Sequence, residues 1–340
     1  MPEGPHASQR ALARLMDGYL TTQLLYVAAK LGVADVLADG PRTGPEIAAA
    51  VGADPDRLTR MLRGLALDDV LAEDEDGRFA LTPVGECLRE GVPGSLRGQV
   101  LVRGDVYWQA AAGMLQTATD GGTALEHVHG ARFFDYLAAE PERAAAFQRS
   151  MAHRSQREAA DVVAVYDFTG IDRLVDVGGG AGVLLEAILR ATPGLHGLLF
   201  DRTEAVERAE RRLAAAGLDA RCECVAGDFF AAVPPGADAY LLSRVIHDWD
   251  DDDAHCILAR CREAMPPGSR LLLVEAILPE RARDGPEAVR MDVHMLMLLG
   301  ARERTADEYR RLLAGAGFAL RRVVPTESPA DLGVLEATFG

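Results

Sequence analysis

From about Ile171 to the end of the chain, short apolar segments alternate with amphipathic ones, and this alternation restricts the fold more than any other feature of the sequence. Five segments have the length and apolar character of buried strands: RLVDVGGG, HGLLFD, ARCECVAGD, ADAYLLSRV and SRLLLVEAIL. Helical patterns separate them, and LRRVVP and GVLEATF predict two closing strands. The alternation predicts an α/β fold with a doubly wound parallel sheet, in which ligands bind at the carboxyl ends of the strands.

The chain before about residue 165 has helical patterns instead. One segment, LLYVAAKLGVADVLADG, has apolar residues three or four positions apart, which predicts a helix that stops at Gly40. Thr43 and Glu46 form a capping-box pattern at the start of the next helix, and DPDRLTRMLRGLALDDVL predicts another. The segment AEDEDGRFALTP predicts a hairpin that turns at Asp76-Gly77. Two helices followed by a hairpin are typical of a winged-helix domain.

Winged-helix domains often bind DNA, but the charge of this chain opposes that function. Residues 43–90 contain 11 acidic and 5 basic side chains, and the whole chain has a formal charge of −16. Arg57, Arg60 and Arg63 share one face of a helix, but the wing at 73–76 is entirely acidic and would repel phosphate groups. We therefore expect packing or dimerisation and no nucleic-acid partner. A transcription regulator with a vestigial ligand-binding domain is the alternative from another functional class.

A glycine loop, DVGGGAG, follows the first strand of the second region and opens a helix. Gly178 and Gly180 match the first and third glycines of the dinucleotide-binding fingerprint, but its sixth position is Val183, which disfavours NAD. The chain has no Gly-Lys-Ser/Thr sequence here, so a P-loop is excluded. The remaining GxGxG pattern allows the backbone after Asp176 to approach a ligand that carries adenosine.

Acidic residues at the ends of the next two strands extend this predicted site. Asp201 ends the second strand, 25 residues after Asp176, and Asp228 with Phe229 follows the third. A carboxylate at such a strand end can accept both ribose hydroxyls, although a single strand-end Asp is more often a helix cap. Three acidic strand ends, a glycine loop and no phosphate-binding cation fit a positively charged adenosine cofactor. They indicate S-adenosylmethionine.

The stretch VIHDWDDDD, residues 245–253, follows the fourth predicted strand. Asp250 to Asp253 occupy the predicted first turn of a helix, where a well-placed carboxylate is stabilised by about 0.3–1 kcal/mol. Consecutive residues of a helical turn point in different directions, which disfavours a metal site. The acidic run therefore predicts a helix start. His247 is a separate feature, either a proton acceptor beside a bound substrate or a buried histidine that bonds to the backbone.

Together the motifs resemble a known family. Six of them occur in this order: LVDVGGGAG, LLFD, GDFF, ADAYLLSRVIHDWDD, LLLVEAILPE and GARERTADEYRRLLAGAGF. Over nearly its whole length the chain resembles the plant-type small-molecule O-methyltransferases, including the bacterial members that tailor polyketides. The resemblance implies a class I methyltransferase, with a Rossmann-like doubly wound sheet and an N-terminal, mainly helical winged-helix dimerisation domain. It also implies S-adenosylmethionine as cofactor and a homodimer.

The resemblance further implies roles for single residues. The expected catalytic residues are a base and two flanking carboxylates: His247, Glu275 and Glu303. The expected cofactor-binding residues are Arg154, Asp176, Gly178, Gly180, Asp201, Asp228, Phe229 and Ser243. The expected substrate-binding residues are Trp108, Phe147, Met151, His294 and Leu298. The chain departs from many relatives where Ser243 replaces Lys, Ala301 replaces Gly and Arg202-Thr203 replaces Leu-Pro, and we expect the first change to alter one hydrogen bond to the cofactor.

We expect three parts: a winged-helix dimerisation domain over 1–100, linking helices that contribute to the substrate pocket over 101–165, and a cofactor-binding domain over 166–340. The implied reaction is metal-independent transfer of a methyl group to a phenolic hydroxyl of an aromatic, polyketide-like natural product, as in antibiotic biosynthesis. N-methylation or a non-methylating reaction remains an alternative within the family. Met291, Met295 and Met297 lie on a predicted helix. They either pack in the core or form an apolar wall for a flat substrate.

The remaining features predict a cytoplasmic protein without a membrane partner. The five cysteines form no paired CxxC pattern, and their odd number fits reduced thiols. No apolar run is long enough for a membrane helix, and the chain does not begin with a signal-peptide pattern.

Overall fold

The computed structural model describes residues 5–328 and 331–339, without the side chains of residues 5, 145, 148, 149, 152 and 153. The chain divides into two compact units. Unit 1 comprises Met1–Gly113 and Val128–Met151, and unit 2 comprises Met114–His127 and Ala152–Gly340. The segment 101–165, which the sequence suggests as a linking part, is divided between them.

The described residues contain seventeen α-helices. Those before the large sheet are α1 (Pro5–Met16), α2 (Gly18–Leu31), α3 (Val33–Val36), α4 (Gly44–Val51), α5 (Pro55–Leu67), α6 (Pro83–Glu86), α7 (Arg97–Val102), α8 (Trp108–Ala110), α9 (Met114–Asp120), α10 (Ala124–His129), α11 (Phe133–Ala138) and α12 (Pro141–Val165). Those within it are α13 (Val183–Ala191), α14 (Thr203–Ala215), α15 (Asp251–Ala264), α16 (Pro286–Leu298) and α17 (Ala306–Gly315). Among them, no helix has the length and apolar character to cross a membrane.

The strands form two main sheets. Unit 1 contains β1 (Arg42–Thr43), β2 (Leu71–Glu73) and β3 (Arg78–Leu81), in the order β1-β3-β2. Unit 2 contains β4 (Arg173–Val177), β5 (His196–Asp201), β6 (Cys222–Ala226), β7 (Ala239–Ser243), β8 (Arg270–Leu278), β9 (Arg304–Thr305), β10 (Ala319–Pro325) and β11 (Leu332–Thr338). Their order is β10-β11-β8-β7-β4-β5-β6, with β9 paired to β8.

Unit 1 contains the predicted winged-helix arrangement. Thr43 and Glu46 form a complete capping box at the start of α4, and β2 and β3 form the predicted antiparallel hairpin. The prediction of one helix up to Gly40 is wrong, because α2 ends at Gly32. Gly32 has a left-handed φ of 73°, which glycine adopts without steric strain and which breaks the helical run although the apolar pattern continues.

Unit 2 contains the predicted sheet with helices on both faces, but its last part is not parallel. Strands β6, β5, β4, β7 and β8 pair in parallel, whereas β11 is antiparallel to both β8 and β10. The expectation of a wholly parallel sheet is therefore wrong at this edge. A parallel pair needs a crossover connection, and the described residues between β10 and β11 contain no helix.

Buried apolar residues cover both faces of this sheet. On one face, Ile257 and Leu258 of α15 pack in a cluster with Leu312 of α17. On the other face, Leu185 of α13 and Leu213 of α14 pack with the opposite side of the strands. Since β7, β4, β5 and β6 are adjacent and parallel, their carboxyl ends lie along one edge of the sheet.

Candidate active site

The glycine loop lies between β4 and α13 and depends on left-handed backbone. Gly178, Gly180 and Gly182 have φ angles of 74°, 59° and 75°. Residues with a Cβ rarely adopt such angles, so the alternating glycines are required by the conformation of the loop. Apart from Gly180 and its two chain neighbours, no atom of the described residues lies within 4 Å of the position that a Cβ of Gly180 would take, which leaves the backbone open to a ligand.

Asp201 at the end of β5 holds this loop in place. Its Oδ2 accepts a hydrogen bond from the Gly180 N–H at 2.8 Å, and its Oδ1 accepts one from the Arg202 N–H at 2.6 Å. Asp176 lies buried at the end of β4, and its Oδ1 has no hydrogen-bond partner among the described residues. Burial and the neighbouring Asp201 raise the pKa of the Asp176 carboxyl to about 7.

The next strand ends complete an edge that fits a nucleoside. Asp228 lies after β6 with its Oδ1 bonded to the Phe230 N–H, and the Phe229 ring contacts the Trp249 ring edge-on, with centroids 6.1 Å apart. Ser243 is the last residue of β7. Each carboxylate oxygen has a further lone pair for a hydroxyl. The open loop, two carboxylates and a half-buried ring therefore fit the adenosine part of the expected cofactor.

His247 lies just beyond β7 in a single 3-10 turn, Ile246–Asp248, and is only 5% exposed. Its Nδ1 lies 3.0 Å from Oε1 of Glu303 and 3.9 Å from Oε2 of Glu275, while its Nε2 lies 3.4 Å from Oδ1 of Asp248. Burial alone would lower the pKa of His247, but Glu275 and Glu303 outweigh it and raise that pKa above its ordinary value. The carboxylates thus stabilise an imidazolium.

Glu303 and Glu275 act on His247 in different ways. Glu303 bonds directly to the imidazole, and although burial opposes it, the positive partners lower the pKa of Glu303. Glu275 is fully buried, and its Oε1 accepts hydrogen bonds from the Val245 and Ile246 N–H groups at 3.2 and 2.9 Å. Burial raises the pKa of Glu275 to about 7, partly opposed by His247. Glu275 therefore holds the backbone that carries the histidine.

Arg304 holds the other end of the same segment. It is 1% exposed and donates hydrogen bonds to the carbonyl oxygens of Ile246 and Trp249 at 3.0 and 2.9 Å, and to Oδ1 of Asp251 at 2.8 Å. Asp250 caps α15 by accepting the Asp253 N–H, which confirms the acidic run as a helix start.

His247, Glu275 and Glu303 each bring one oxygen or nitrogen within 4.8 Å of the others, a spacing that could also suit a metal ion. However, Nη1 of Arg244 lies 3.3 Å from the same Glu303 oxygen that faces His247. A guanidinium thus already supplies positive charge at this point. A metal-independent reaction stays a prediction.

The predicted substrate residues are divided between the two units. Trp108 belongs to unit 1, where it is 39% exposed, and its ring centroid lies 6.1 Å from that of Tyr19. Phe147 contacts Phe133 edge-on at 5.1 Å, and half-buried Met151 is the last residue of the same unit. Their role towards a substrate stays a prediction.

His294 and Leu298 belong to α16 in unit 2, where His294 is half-buried and Leu298 is buried. Met295 and Met297 of the methionine pattern are also buried, as core packing requires. The Met291 sulfur lies 4.0 Å from Nη1 of Arg154. The helix therefore contributes its methionines mainly to packing.

His247, Glu275 and Glu303 form what we call the base cluster. The sequence did not reveal the charged side chains that extend this cluster. Arg154, one of the predicted cofactor-binding residues, donates from Nε to Oε1 of Glu158 at 3.0 Å. Arg244 donates to the same Glu158 oxygen at 2.7 Å. Arg154 and Glu158 are four positions apart on a helix, a spacing that could have indicated their pairing. For Arg244 the sequence offers no such signal, because its partners are distant along the chain.

Two family profiles match the chain: an O-methyltransferase domain over residues 108–319 and an O-methyltransferase dimerisation domain over residues 13–91. The phenazine O-methyltransferase of Lysobacter antibioticus is 45% identical over 96% of this chain and 95% of its own. The phenazine-1-carboxylate N-methyltransferase of Pseudomonas aeruginosa is 34% identical over 94% of each chain.

A solved structure extends the comparison to ligands. It is the crystal structure of an O-methyltransferase from neocarzinostatin biosynthesis, in complex with S-adenosylmethionine and 2-hydroxy-5-methyl naphthoic acid. It matches with a TM-score of 0.80 and 36% identity over 94% of this chain and 96% of that chain.

Proposed function

Since this chain belongs to the S-adenosylmethionine-dependent O-methyltransferases of natural-product biosynthesis, we propose that it methylates a phenolic hydroxyl of a flat aromatic acceptor, with His247 as general base. The match to the family's dimerisation domain supports a homodimer. The observation that supports the proposed base most strongly is the 3.0 Å contact between Nδ1 of buried His247 and Glu303.

This contact supports the tautomer that the reaction needs. When Nδ1–H donates to Glu303, the lone pair of the neutral imidazole is on Nε2, which can accept a proton. Glu303 then stabilises the imidazolium that forms. The proton transfer needs this help, because a phenol near pKa 10 and an imidazole near 6.5 differ by about 3.5 units, or about 4.8 kcal/mol.

When bound, the cofactor supplies an electrophilic methyl group on a positively charged sulfonium. The residues of the sheet edge would hold its adenosine part: the backbone at Gly180 is open to a ligand, and Asp201 and Asp228 would accept hydroxyl or amine protons. His247 removes the hydroxyl proton as the acceptor oxygen attacks. Glu275 and Arg304 keep the segment around His247 in place.

An apolar, flat acceptor is supported by two features. Helix α16 of unit 2 leaves the apolar side chains of Val293 and Leu296 exposed. One related protein is named for a phenazine and another was crystallised with a hydroxynaphthoic acid, and both compounds are aromatic ring systems. We propose that the acceptor belongs to this class.

Because all five cysteines are free thiols, we propose that the reaction takes place in the cytoplasm.

N-methylation is the second candidate, because one relative at 34% identity is an N-methyltransferase. A ring nitrogen with a free lone pair loses no proton when it is methylated, whereas a hydroxyl must lose one. A buried histidine bonded to a carboxylate is therefore more useful for an oxygen acceptor than for a ring nitrogen. We favour O-methylation on this ground.

The test combines cofactor binding with product analysis. Calorimetric titration should give binding of both S-adenosylmethionine and S-adenosylhomocysteine. Incubation with S-adenosylmethionine and a panel of hydroxyphenazines and hydroxynaphthoic acids should give products heavier by one methylene, and fragmentation should place the methyl on oxygen. Methylation of ring nitrogen alone would support the second candidate, and absence of cofactor binding would contradict both.

A further inference from the structure

Arg244 has a backbone conformation that is unusual for its residue type. It follows β7 directly, and its φ is 55°, in the left-handed region that residues with a Cβ rarely adopt. Its N–H donates to the Val274 carbonyl of β8 at 3.0 Å, which fixes this conformation. Backbone strain of this kind is often found at functional sites.

The side chain of Arg244 is 11% exposed and lies between two carboxylates. Its Nη2 donates to Oε1 of Glu158 at 2.7 Å, and its Nη1 donates to Oε1 of Glu303 at 3.3 Å. The same Glu303 oxygen lies 3.0 Å from Nδ1 of His247. One carboxylate oxygen is thus shared between the guanidinium and the imidazole.

The other titratable groups around the base make this sharing important. They are Arg154 and Glu158 of α12, Glu275 of β8, Asp248 beside the histidine, Asp292 of α16 and Tyr309 of α17. The Oδ1 atom of Asp292 accepts a hydrogen bond from the Glu303 N–H. Three carboxyl groups, those of Glu303, Glu275 and Asp248, face the imidazole. Glu158 forms ion pairs with both Arg154 and Arg244. Arg244 also contacts Glu303, the carboxylate that bonds the base.

We propose that Arg244 is a positioning residue for the base. By sharing Oε1 of Glu303 with the imidazole, Arg244 keeps the carboxylate directed at Nδ1 and limits the stabilisation of a doubly protonated ring. His247 is thereby available as a neutral base with its lone pair on Nε2. This inference rests on the proposed role of His247 and explains how a base surrounded by carboxyl groups avoids permanent protonation.

The test is the imidazole pKa of His247, read from ¹⁵N-histidine NMR of the full-length protein with S-adenosylhomocysteine bound. The spectrum of His247→Gln assigns the signal. We expect Arg244→Gln to raise this pKa by about one unit or more, because a cation within a few ångströms is lost. Arg244→Lys should cause a smaller rise, and Arg190→Gln, which removes an exposed arginine elsewhere in unit 2, should cause none.

Glu158→Gln provides a test of opposite sign. It leaves Arg244 in place but removes the negative charge that neutralises it, so the imidazole pKa should fall. This variant also keeps the inference testable if Arg244→Gln does not fold. An unchanged pKa in a folded Arg244 variant that still binds S-adenosylhomocysteine, or a rise in Glu158→Gln, would overturn the proposal.

Activity separates this inference from the proposed function. The acidic limb of kcat/KM against pH, measured with 2-hydroxyphenazine if the panel shows it to be methylated and otherwise with the best acceptor of that panel, should move to higher pH in Arg244→Gln by the same shift. The lost rate should then return in alkaline buffer, whereas a merely structural defect would reduce the rate at every pH. If His247→Gln stays fully active, the proposed base fails, while the NMR shift still decides the role of Arg244.

Discussion

The predicted cofactor-binding edge and the base cluster belong to the same unit but rely on different kinds of chemical group. The edge relies on backbone: left-handed glycines, N–H groups and strand ends, with Asp201 tied to Gly180. The base cluster relies on buried ionisable side chains, with His247, Glu303 and Arg244 in contact. The first is suited to recognise a ligand mainly through fixed backbone groups, whereas the second is suited to accept and release a proton.

The largest expected effect concerns the base. His247→Gln should lower kcat by about 10²–10⁴-fold, the usual contribution of a positioned general base. Affinity for S-adenosylmethionine should stay unchanged, because the glycine loop and Asp201 do not contact the imidazole. Stopped-time product assays together with calorimetry measure both quantities. A loss of cofactor affinity equal to the loss of rate would show that the two regions are not separable.

The reverse effect is expected at the cofactor-binding edge. Asp201→Ala should weaken binding of S-adenosylmethionine about 10- to 100-fold, since hydrogen bonds to a charged group contribute about 1.5–3 kcal/mol. Calorimetric titration measures this change, and Asp219→Ala removes an exposed carboxylate of the same unit as a matched control. Equal affinities in the two variants would remove Asp201 from the cofactor site.

A stability effect is expected where the base segment is held. Arg304→Met leaves the Ile246 and Trp249 carbonyl oxygens without this donor, at about 1–3 kcal/mol for each buried group. Thermal unfolding should therefore shift to lower temperature by several degrees. Arg302→Met, at the neighbouring exposed position, should shift it much less. Similar shifts in both variants would contradict the proposed clamp.

The smallest effect is the pH dependence of the unmodified protein. Because the folded pKa of His247 lies above 6.5, kcat/KM should rise with pH through a midpoint above that value as the imidazole becomes neutral. The stabilisation that His247 contributes is fully present below about pH 6.5 and is lost as pH rises through the folded pKa. Rate and unfolding free energy, measured over the same buffers, should therefore change in opposite directions. An acidic midpoint below 6.5 would contradict this.

The two regions also differ in how far the sequence predicts them. The glycine loop, the capping box at Thr43 and the cap at Asp250 follow local rules, because the residues involved are two or three positions apart. The base cluster joins Arg244 to Glu158 and Glu303, which are 86 and 59 positions away. Pairings over such distances depend on the fold, and a single sequence carries no signal for them.

Two errors have the same origin. The apolar spacing typical of a helix continues to Gly40, although α2 is capped at Gly32. The spacing alone therefore gives no sign of the break at Gly32. The closing strands have the apolar character of parallel strands. They pair antiparallel because the described residues between them contain no crossover helix. Periodicity thus identifies which side chains are buried but does not fix the direction of the chain between them.

The most direct test of the central claim is the dependence of the His247→Gln defect on the acidity of the acceptor. Single-turnover methyl transfer would be measured with a series of substituted phenolic acceptors whose pKa values span several units. If His247 removes the hydroxyl proton, the defect should be largest for the least acidic phenol and should nearly vanish for one that is already ionised. A defect of equal size across the series would contradict a role as general base and leave His247 with a purely structural role.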